Sequence, residues 1–277
     1  MNPFLIKGPA TISFSGGRTS GYMLRRILNE GLQPDVHVLF SNTGKERNET
    51  LDFIHEIETH WNVKIFWLEY ENKYDGKRYA HSYREVNYET ANRFGGPFAK
   101  LIGARKYLPN PVTRFCTQEL KIRPMQKWAR AHHFEHWNNV VGLRADEPRR
   151  VANMRAKNSL GKERYDVVMP LADANVTKPE VLAFWKTQPF DLQLQDHEGN
   201  CDLCFLKGRA KKEQIIADRP SSADWWIEQE SRFLDKSGRP ATFRINAPSY
   251  ATMRETARHL PVLCESPDDL GDCACTD

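Results

Sequence analysis

The sequence has no long apolar run, and none of its hydrophobic stretches approaches the roughly 20 residues that a helix needs to cross a bilayer. Residues 1–7 are too short and too polar for a signal peptide. Internal repeats and low-complexity tracts are also missing. We therefore expect a cytoplasmic protein with no membrane partner.

Cysteine is scarce, with six residues among 277. A chain of this length without an export signal differs from the small secreted proteins that depend on a disulfide framework. In a reducing compartment, metal binding or redox chemistry explains cysteines better than disulfide bonds do.

Neither sign of charge dominates the composition. The chain has 40 Lys and Arg against 36 Asp and Glu, a net charge of +4 and a pI near 8.7. This mild positive balance suits a polyanionic small molecule and also permits transient contact with nucleic acid. The length is sufficient for one large domain, or for one domain with an appendage.

Residues 12–20, Ile-Ser-Phe-Ser-Gly-Gly-Arg-Thr-Ser, contain neither the Walker A pattern nor the dinucleotide pattern G-x-G-x-x-G. They place two adjacent glycines between a short apolar strand and a helix. The glycines let the backbone turn sharply and approach a ligand closely. The first helical turn adds unpaired N–H donors and the positive end of the helix dipole. This segment therefore predicts a site for phosphate or pyrophosphate.

Strand and helix alternate over the first 70 residues. Short apolar runs predict the strands, and apolar positions three and four apart predict the helices. The predicted order is strand Thr11–Phe14, helix Arg18–Asn29, strand Val36–Phe40, helix Asn48–Trp61 and strand Val63–Leu68. The alternation predicts an α/β fold, with a doubly wound, mostly parallel sheet and helices on both faces. Ligands of such sheets bind beyond the carboxyl ends of the strands.

Residues 71–115 lack this alternation, and we expect an insertion or lid of irregular structure there. The elements predicted after it are helix Gln118–Ala131, strand Asn139–Leu143, a helix after Glu147 and a last strand over 165–171. A capping box at Thr177–Glu180 predicts the start of a further helix, which ends near Lys186. Two more helices are predicted at Lys207–Asp218 and Ala223–Leu234. We assign residues 1–190 to a nucleotide-binding α/β domain and residues 191–277 to a cysteine-rich, mostly helical C-terminal extension.

A polar segment, Asn42-Thr43-Gly44, follows the second predicted strand, and Glu49-Thr50 comes shortly after it. Backbone groups at a strand end can pair with an adenine edge, and small polar side chains can hold a ribose or a phosphate. Taken alone, the segment is more typical of a helix start capped by Asn48 or Thr43. Its position beside the Gly-Gly turn favours nucleotide binding.

Residues 142–150 follow the strand predicted at Asn139–Leu143 and carry three arginines. The planar guanidinium can pair with two phosphate or sulfate oxygens at once. We therefore predict that Arg144 and Arg150 contact the ligand. A charged helix start is the plainer alternative.

Three cysteines lie in segments suited to sulfur chemistry. Cys201 and Cys204 form a C-x-x-C pair, which fills half of a tetrahedral metal site. Cys116, which precedes Leu120-Lys121-Ile122-Arg123-Pro124, would supply a third sulfur if the fold brings it near. The alternative is a redox-inert pair beside a buried Cys116.

In their order along the chain, these segments resemble the PAPS reductase family of PP-loop proteins, part of the adenine nucleotide alpha hydrolase or ATP pyrophosphatase superfamily. The PP-loop reads Ser-Gly-Gly-x-Asp-Ser, and Ser15–Ser20 differ from it at Thr19, which replaces Asp. Iron–sulfur members carry Cys-Cys before Leu-Lys-x-x-Pro, whereas Phe115 replaces the first cysteine here. The Glu-Cys-Gly-Leu-His tail motif of the reductases is absent, although three cysteines, Cys264, Cys273 and Cys275, lie near the C-terminus.

The resemblance implies a set of site residues. It assigns nucleotide binding to Ser15, Gly16, Gly17, Arg18, Thr19, Ser20, Asn42, Thr43, Gly44 and Glu49. It assigns catalysis to Arg144, Arg150, Lys121 and Cys275. It places Cys116, Cys201 and Cys204 around a [4Fe-4S] cluster with one open iron, or, with a tail cysteine as fourth ligand, around iron–sulfur or zinc.

Three functions are compatible with these residues. In the first, the protein binds ATP with magnesium, cleaves it between the α and β phosphates to adenylate a substrate, and supports sulfur transfer to an acceptor, either a small molecule or a nucleic acid. In the second, it binds adenylyl sulfate (APS) or phosphoadenylyl sulfate (PAPS), and a cysteine thiosulfonate releases sulfite with a reductant such as thioredoxin. In the third, it is a non-catalytic nucleotide or nucleic-acid binding module. The retained Ser-Gly-Gly-x-x-Ser pattern favours ATP. A homodimer is a further expectation.

Overall fold

The computed structural model describes residues 2–74, 79–195, 197–235 and 238–259. Within them, one six-stranded sheet is formed by β1 (Ala10–Ser13), β2 (Val36–Asn42), β3 (Ile65–Tyr74), β4 (Tyr79–Val86), β5 (Trp137–Val141) and β6 (Tyr165–Val168). The strand order is β4-β3-β2-β1-β5-β6. All neighbours pair in parallel except β3 and β4, which are antiparallel.

The chain leaves β1 toward β2 on one side, and later returns to pair β5 with the other side of β1. The order of the strands therefore reverses at β1. In open α/β sheets the crevice at such a reversal, beyond the carboxyl ends of the strands, is the usual ligand site.

Helices connect and flank the strands. They are α1 (Arg18–Glu30), α2 (Asn48–Trp61), α3 (Gly96–Arg105), a π-helix (Thr117–Ile122), α4 (Arg123–Ala131), α5 (Pro148–Ser159), α6 (Pro170–Asp173), α7 (Lys178–Trp185), α8 (Arg209–Asp218), a 3-10 turn (Pro220–Ala223), α9 (Asp224–Ser231) and α10 (Tyr250–His259).

Both faces of the sheet are covered, as the alternation predicts. On β2, Val38 and Phe40 pack on one face with residues of α1, α2 and α7, whereas Leu39 packs on the opposite face with Trp128 of α4. Successive side chains of a strand point to opposite faces, so these contacts place helices on both sides. The predicted α/β fold is confirmed.

A separate apolar cluster joins the C-terminal helices to the edge of the sheet. It contains Tyr70 of β3, Leu101 of α3 and Leu120 of the π-helix, together with Ile216 of α8 and Trp226 of α9. The cysteine-bearing segments are therefore anchored in a core of their own. The division of the chain at residues 190 and 191 stays a prediction.

The expectation of irregular structure over residues 71–115 is wrong for about half of that range. β3 extends to Tyr74, β4 follows as an antiparallel edge strand, and α3 lies within the same segment. The polarity of β4 reflects its edge position: Arg84 lies opposite Glu69 and donates to it at 2.7 Å. Charged residues are typical of an edge strand.

Two helix predictions need correction. The single helix predicted over Gln118–Ala131 is a π-helix followed by α4. Pro124 has no N–H and its ring crowds the carbonyl four residues earlier, which is a reason for the widened turn before it. The capping box at Thr177 does not form, because the Glu180 carboxylate accepts a 2.7 Å hydrogen bond from Tyr22 instead.

Within the described part of the chain, no helix combines the length and apolar character needed to cross a membrane.

Candidate functional site

The predicted phosphate loop lies where β1 ends and α1 begins. Gly16 has a φ of +75°, in the left-handed region that favours glycine. A Cβ atom there would lie 2.7 Å from Thr50 Cγ2 and 2.8 Å from Ile54 Cδ1. The loop therefore needs glycine at this position, both for its backbone conformation and because α2 packs against it.

Hydroxyl groups tie the loop to the first turn of α1. Ser20 Oγ lies 2.9 Å from Ser15 Oγ, accepts from the Gly17 N–H at 3.3 Å and donates to the Gly17 carbonyl at 3.0 Å. The loop is thus held in shape by its own side chains. Such a loop presents N–H donors to an anion without reorganisation.

The side chains of Arg18 and Thr19 are engaged away from the loop backbone. Arg18 forms an ion pair with Asp191 at 2.8 Å and donates to the Leu192 carbonyl at 2.5 Å. Thr19 Oγ1 accepts a 3.0 Å hydrogen bond from Arg144. Arg144 therefore brings a positive charge from the segment after β5 into contact with the phosphate loop.

A network of charges holds Arg144 after β5. Arg144 donates to Asp146 at 2.8 Å, and Glu147 lies 3.5 Å from Arg144 and 2.5 Å from Arg150. Burial acts to raise the pKa of Asp146, but the Lys178 N–H and Arg144 outweigh it and hold that pKa below its usual value. The structure thus brings both predicted arginines to one carboxylate, Glu147, close to the loop.

The segment after β2 is fixed by internal hydrogen bonds. Asn42 Nδ2 donates to Glu69 at 2.7 Å and to the Asn92 carbonyl at 2.9 Å, and Asn42 Oδ1 accepts from the Gly44 N–H. Thr43 donates to Glu46 at 2.8 Å through both its N–H and its hydroxyl. These side chains shape the turn at the end of β2.

Glu49 faces two arginines, Arg47 at 3.4 Å and Arg219 at 3.6 Å. Burial acts to raise the pKa of Glu49, but its own backbone N–H and Arg47 outweigh it, so the pKa is lowered. The carboxylate is therefore negative at neutral pH. It joins α2 to the C-terminal segment.

The C-x-x-C segment is bonded to the chain that follows β2. Cys201 forms an antiparallel bridge with Glu46, the Arg47 N–H donates to the Asn200 carbonyl at 2.8 Å, and the Asp202 N–H donates to the Lys45 carbonyl at 2.9 Å. These bonds place the two cysteines of the pair at the carboxyl edge of the sheet.

Cys116, Cys201 and Cys204 line one small cavity, of about 30 Å³, together with Thr117 and Lys121 of the π-helix. Cys116 and Cys204 are buried, and Cys201 is half-buried. Lys121 Nζ lies 3.9 Å from Cys201 Sγ and 3.7 Å from Glu46 Oε1. The fold therefore brings the three predicted cysteines together, with a cation beside them.

These thiols are the donor type that iron–sulfur clusters use. In residues 2–74, 79–195, 197–235 and 238–259, no group of three His, Cys, Asp or Glu side chains is close enough to hold a single metal ion. Cys264, Cys273 and Cys275, considered as further ligands or as a nucleophile, lie outside the described residues.

Asn200 links the cysteine segment to the phosphate loop, and the sequence pattern does not indicate it. Its side-chain amide donates a 2.8 Å hydrogen bond to the Ser15 carbonyl. Glu46 was also without a predicted role, although it contacts both Lys121 and Cys201. Only the proximity of three separate segments in the fold reveals these two residues.

A larger cleft, of about 280 Å³, opens beside the phosphate loop. It runs from Ser15 and Ser41, at the strand ends, to Tyr165, at the start of β6. Lys121 lines this cleft as well as the cysteine cavity. The phosphate loop, the cysteines and the cleft are thus neighbours around one π-helix.

Comparison with known proteins places the chain among its relatives. It is 34% identical over 205 residues to an uncharacterized nin region protein of Escherichia phage lambda. The aligned residues make up 72% of this chain and 67% of that relative. It is 30% identical over 142 residues to an uncharacterized protein of Methanocaldococcus jannaschii, covering 51% of this chain and 24% of that longer relative.

Two solved structures share 14% sequence identity with the chain. One is the phosphoadenylyl-sulfate (PAPS) reductase from Candida auris in a phosphate complex, with a TM-score of 0.40. The matched region is 67% of this chain and 79% of the reductase chain. The other is the U34-tRNA thiolase NcsA from Methanococcus maripaludis with its [4Fe-4S] cluster, with a TM-score of 0.42. The matched region is 95% of this chain and 77% of the thiolase chain.

The family model of the phosphoadenosine phosphosulfate reductase domain matches residues 9–193. That range contains the phosphate loop, the segment after β2, the π-helix with Lys121 and the arginine segment after β5. The resemblance drawn from the motifs is confirmed, and the chain belongs to the phosphoadenosine phosphosulfate reductase domain family.

Proposed function

We propose that this protein binds ATP at Ser15–Ser20, cleaves it between the α and β phosphates to adenylate a substrate, and supports the transfer of sulfur to that substrate. One observation carries the proposal: Asn200, the residue before Cys201, donates a hydrogen bond to the Ser15 carbonyl. A phosphate loop hydrogen-bonded to the residue beside a cysteine pair is suited to an enzyme that activates a substrate and delivers sulfur in the same site.

The phosphate loop would hold the nucleotide. The N–H groups at the start of α1 and the positive end of its dipole attract the phosphates. An oxygen of the substrate attacks the α-phosphorus, the bond to the bridging oxygen breaks, and pyrophosphate leaves with the electron pair. Arg144, held at the loop by Thr19, stabilises the charge on the transferred and leaving phosphates. Arg150 adds a second positive charge beside Glu147.

The cysteines would act in the second half-reaction. Cys116, Cys201 and Cys204 are the residues that would hold an iron–sulfur cluster, which when bound supplies a site for sulfur. Lys121 lies 3.9 Å from Cys201 Sγ, where its ammonium group offsets the negative charge of thiolate ligands. In this half-reaction a sulfur nucleophile displaces AMP from the adenylated carbon. The bond from carbon to the AMP oxygen breaks, and AMP leaves with the electron pair.

A sulfonucleotide reductase is the second candidate, because the matching family model is that of the PAPS reductase domain. In that reaction a cysteine thiolate, for which Cys275 is the sequence candidate, attacks the sulfur of APS or PAPS and releases the nucleotide. A thiol reductant then frees sulfite from the cysteine thiosulfonate. Arg144 and Arg150 would bind the sulfate and phosphate groups in the same place.

The test is direct binding followed by product analysis. Protein prepared without oxygen is titrated calorimetrically with ATP plus magnesium, with APS and with PAPS. α-Labelled ATP is then tested for conversion to AMP with release of pyrophosphate. Preference for ATP and formation of AMP support the proposal. Preference for PAPS with release of sulfite supports the reductase, and binding without either product leaves a non-catalytic nucleotide-binding module.

A further inference from the structure

One face of β1 carries hydroxyl side chains where an apolar surface is expected. Ala10 and Ile12 pack in the core with α1 and α2, while Thr11 and Ser13 point to the opposite face. Parallel strands that helices cover on both faces are near-continuous apolar runs. The hydroxyls of Thr11 and Ser13 instead line the cleft of about 280 Å³, between α4 and α5.

The floor of the cleft presents a hydrogen-bond donor. Asn139 Oδ1 accepts from Ser13 Oγ at 2.7 Å and from Thr11 Oγ1 at 3.3 Å. With its oxygen used in this way, Asn139 has its amide NH₂ left to donate, and no partner for that NH₂ lies among the described residues. Asn139 lines the cleft, so the donor is available to a ligand.

Flat and polarisable groups surround this donor. The rings of Trp137 and Tyr165 lie 5.5 Å apart at an interplanar angle of 33°, and both line the cleft. The thioether side chains of Met125 and Met154 line the walls. Aromatic and thioether groups contact flat rings favourably. A planar heteroaromatic ring with a polar edge, such as a nucleobase, matches these walls and this floor.

The charges at the cleft favour an anionic ligand. Lys121 lines it near the strand ends, and Lys157 and Lys162 line its outer part. Glu163 is the acidic residue among the lining residues, and Gln126 donates to it at 3.4 Å. Lys157 and Lys162 form no ion pair with any residue that the structure describes, and both are exposed.

The positive charges continue along α5. Arg150, Met154 and Lys157 stand at positions i, i+4 and i+7, which lie on one stripe of a helix. At about 1.5 Å per residue, the stripe runs about 10 Å from Arg150 to Lys157. That length exceeds the size of one phosphate group and matches a nucleic-acid strand, which presents a series of phosphates.

The outer part of the cleft is separate from the phosphate loop. Thr11 precedes Ser15 by four residues, which in an extended chain is about 13 Å. Thr11 pairs with Asn139, and Tyr165 pairs with Trp137, two residues before Asn139 and so farther still from the loop. A nucleotide with its phosphates at Ser15–Ser20 therefore leaves the outer part of the cleft, around Tyr165 and Lys157, available to a second ligand.

We propose that this cleft receives a base of a single-stranded nucleic acid, with the phosphates of that strand lying along α5. The inference deepens the proposed function and depends on it for its chemistry, since it makes nucleic acid the acceptor of sulfur. Binding itself requires no turnover and can be measured separately.

The experiment measures binding of fluorescently labelled single-stranded RNA, single-stranded DNA of the same sequence, and duplex DNA to the full chain by anisotropy. The charge variant is Lys157→Glu with Lys162→Glu. The matched control is Arg155→Glu, an exposed position on α5 that pairs with Asp173 at 2.8 Å and does not line the cleft. Met154→Trp fills the cleft without changing its charge.

Wild type is expected to bind a single strand more tightly than the duplex, and the RNA and DNA arms identify which strand it prefers. The double variant should bind about tenfold more weakly, and the slope of log K against log salt should fall by about 1.4, at about 0.7 per phosphate contact. Met154→Trp should weaken binding with an unchanged slope, and Arg155→Glu should match the wild type. Calorimetry with ATP should give the wild-type affinity for all of these variants.

Four outcomes overturn the inference: no binding of any strand, equal losses in the charge variant and its control, wild-type binding by Met154→Trp, or displacement of the strand by ATP alone. Displacement by ATP would assign the cleft to the base of the nucleotide itself. Strand binding without any ATP binding would defeat the proposed function and leave this site standing. ATP binding and turnover without strand binding would support the proposed function and overturn the nucleic-acid site.

Discussion

Asn200 and Ser15 are 185 positions apart in the sequence, and Asn200 Nδ2 donates a 2.8 Å hydrogen bond to the Ser15 carbonyl. The Asn200 backbone carbonyl in turn accepts from the Arg47 N–H at 2.8 Å. One residue therefore connects the loop after β1 with the segment after β2. Because Cys201 is its neighbour, Asn200 also ties the cysteine pair to the phosphate loop.

Replacing Asn200 with Ala should weaken nucleotide binding and lower stability. The Ser15 carbonyl loses its donor, and an unsatisfied polar group of this kind costs about 1–3 kcal/mol. Thermal unfolding and calorimetric titration with ATP measure the two effects. Asn138→Ala is the control, because Asn138 donates to the Lys7 carbonyl at the opposite end of the sheet. Equal ATP affinities for the two variants would show that Asn200 does not support the loop.

Gly16→Ala should abolish nucleotide binding. A methyl group at Gly16 meets Thr50 and Ile54 within 3 Å, and the positive φ adds strain of about 1–2 kcal/mol. Gly31→Ala is the matched control, because Gly31 has a φ of +87° and nothing lies within 4 Å of its Cβ position. Both variants carry the backbone strain, and only Gly16→Ala displaces α2. If both lose the same stability and neither loses ATP binding, the packing argument is wrong.

Arg144→Ala should reduce turnover by about a hundredfold or more, as removal of a preorganised charge donor does at other sites of phosphoryl and acyl transfer. The guanidinium touches Thr19 at the start of α1, where the phosphates are proposed to bind. Arg149→Ala removes an exposed arginine five residues later and serves as the control. The ratio kcat/KM for pyrophosphate release is the measurement. A change in KM alone would limit Arg144 to ground-state binding.

Glu230 should make stability depend on pH. Burial raises the pKa of Glu230 from 4.5 to about 7, against the opposing effect of the Tyr250 and Phe243 N–H groups that donate to it. Between these two values the folded carboxyl holds its proton while the unfolded one has lost it. The free energy of unfolding therefore falls as pH rises from 4.5 to about 7, and this contribution is constant above that range.

Denaturant unfolding at a series of pH values measures this slope. Glu230→Gln should flatten it, because the variant has no carboxyl to titrate. Glu228→Gln, on the exposed side of α9 and 3.0 Å from Arg232, should follow the wild-type curve. Parallel curves for Glu230→Gln and the wild type would show that another group causes the dependence.

A helix or strand could be predicted from the sequence wherever its apolar residues recur on one face of that element. α2 begins and ends at the predicted residues, because Leu51, Ile54 and Ile57 are spaced for burial on one side. β4 was missed because an edge strand tolerates many polar and charged residues, and those of β4 resemble the residues of a loop. The π-helix has no periodic signal of its own over six residues.

The candidate site could be predicted only as far as local patterns reach. The Gly-Gly turn and the C-x-x-C pair are local patterns. The turn lies at the carboxyl edge of the sheet as expected, whereas the position of the cysteine pair at that edge follows only from the fold. The pairing of Arg18 with Asp191, like the contact of Asn200 with Ser15, joins residues more than a hundred positions apart. Such contacts depend on the packed tertiary structure, and no spacing in the sequence encodes them.

The cysteine cavity predicts the metal content of the protein. Cys116, Cys201 and Cys204 line one cavity from two separate segments, so loss of any one thiol should remove the bound group. Protein purified without oxygen should contain iron and acid-labile sulfide, and each of the three Ser variants should lose both. Cys264→Ser, Cys273→Ser and Cys275→Ser, made one at a time, test the tail: loss of iron in one of them identifies a fourth ligand, and retention in all three indicates an open iron. Zinc without sulfide in the wild type would replace the cluster with a structural metal and remove its role in sulfur transfer, whereas nucleotide binding at Ser15–Ser20 would be unaffected.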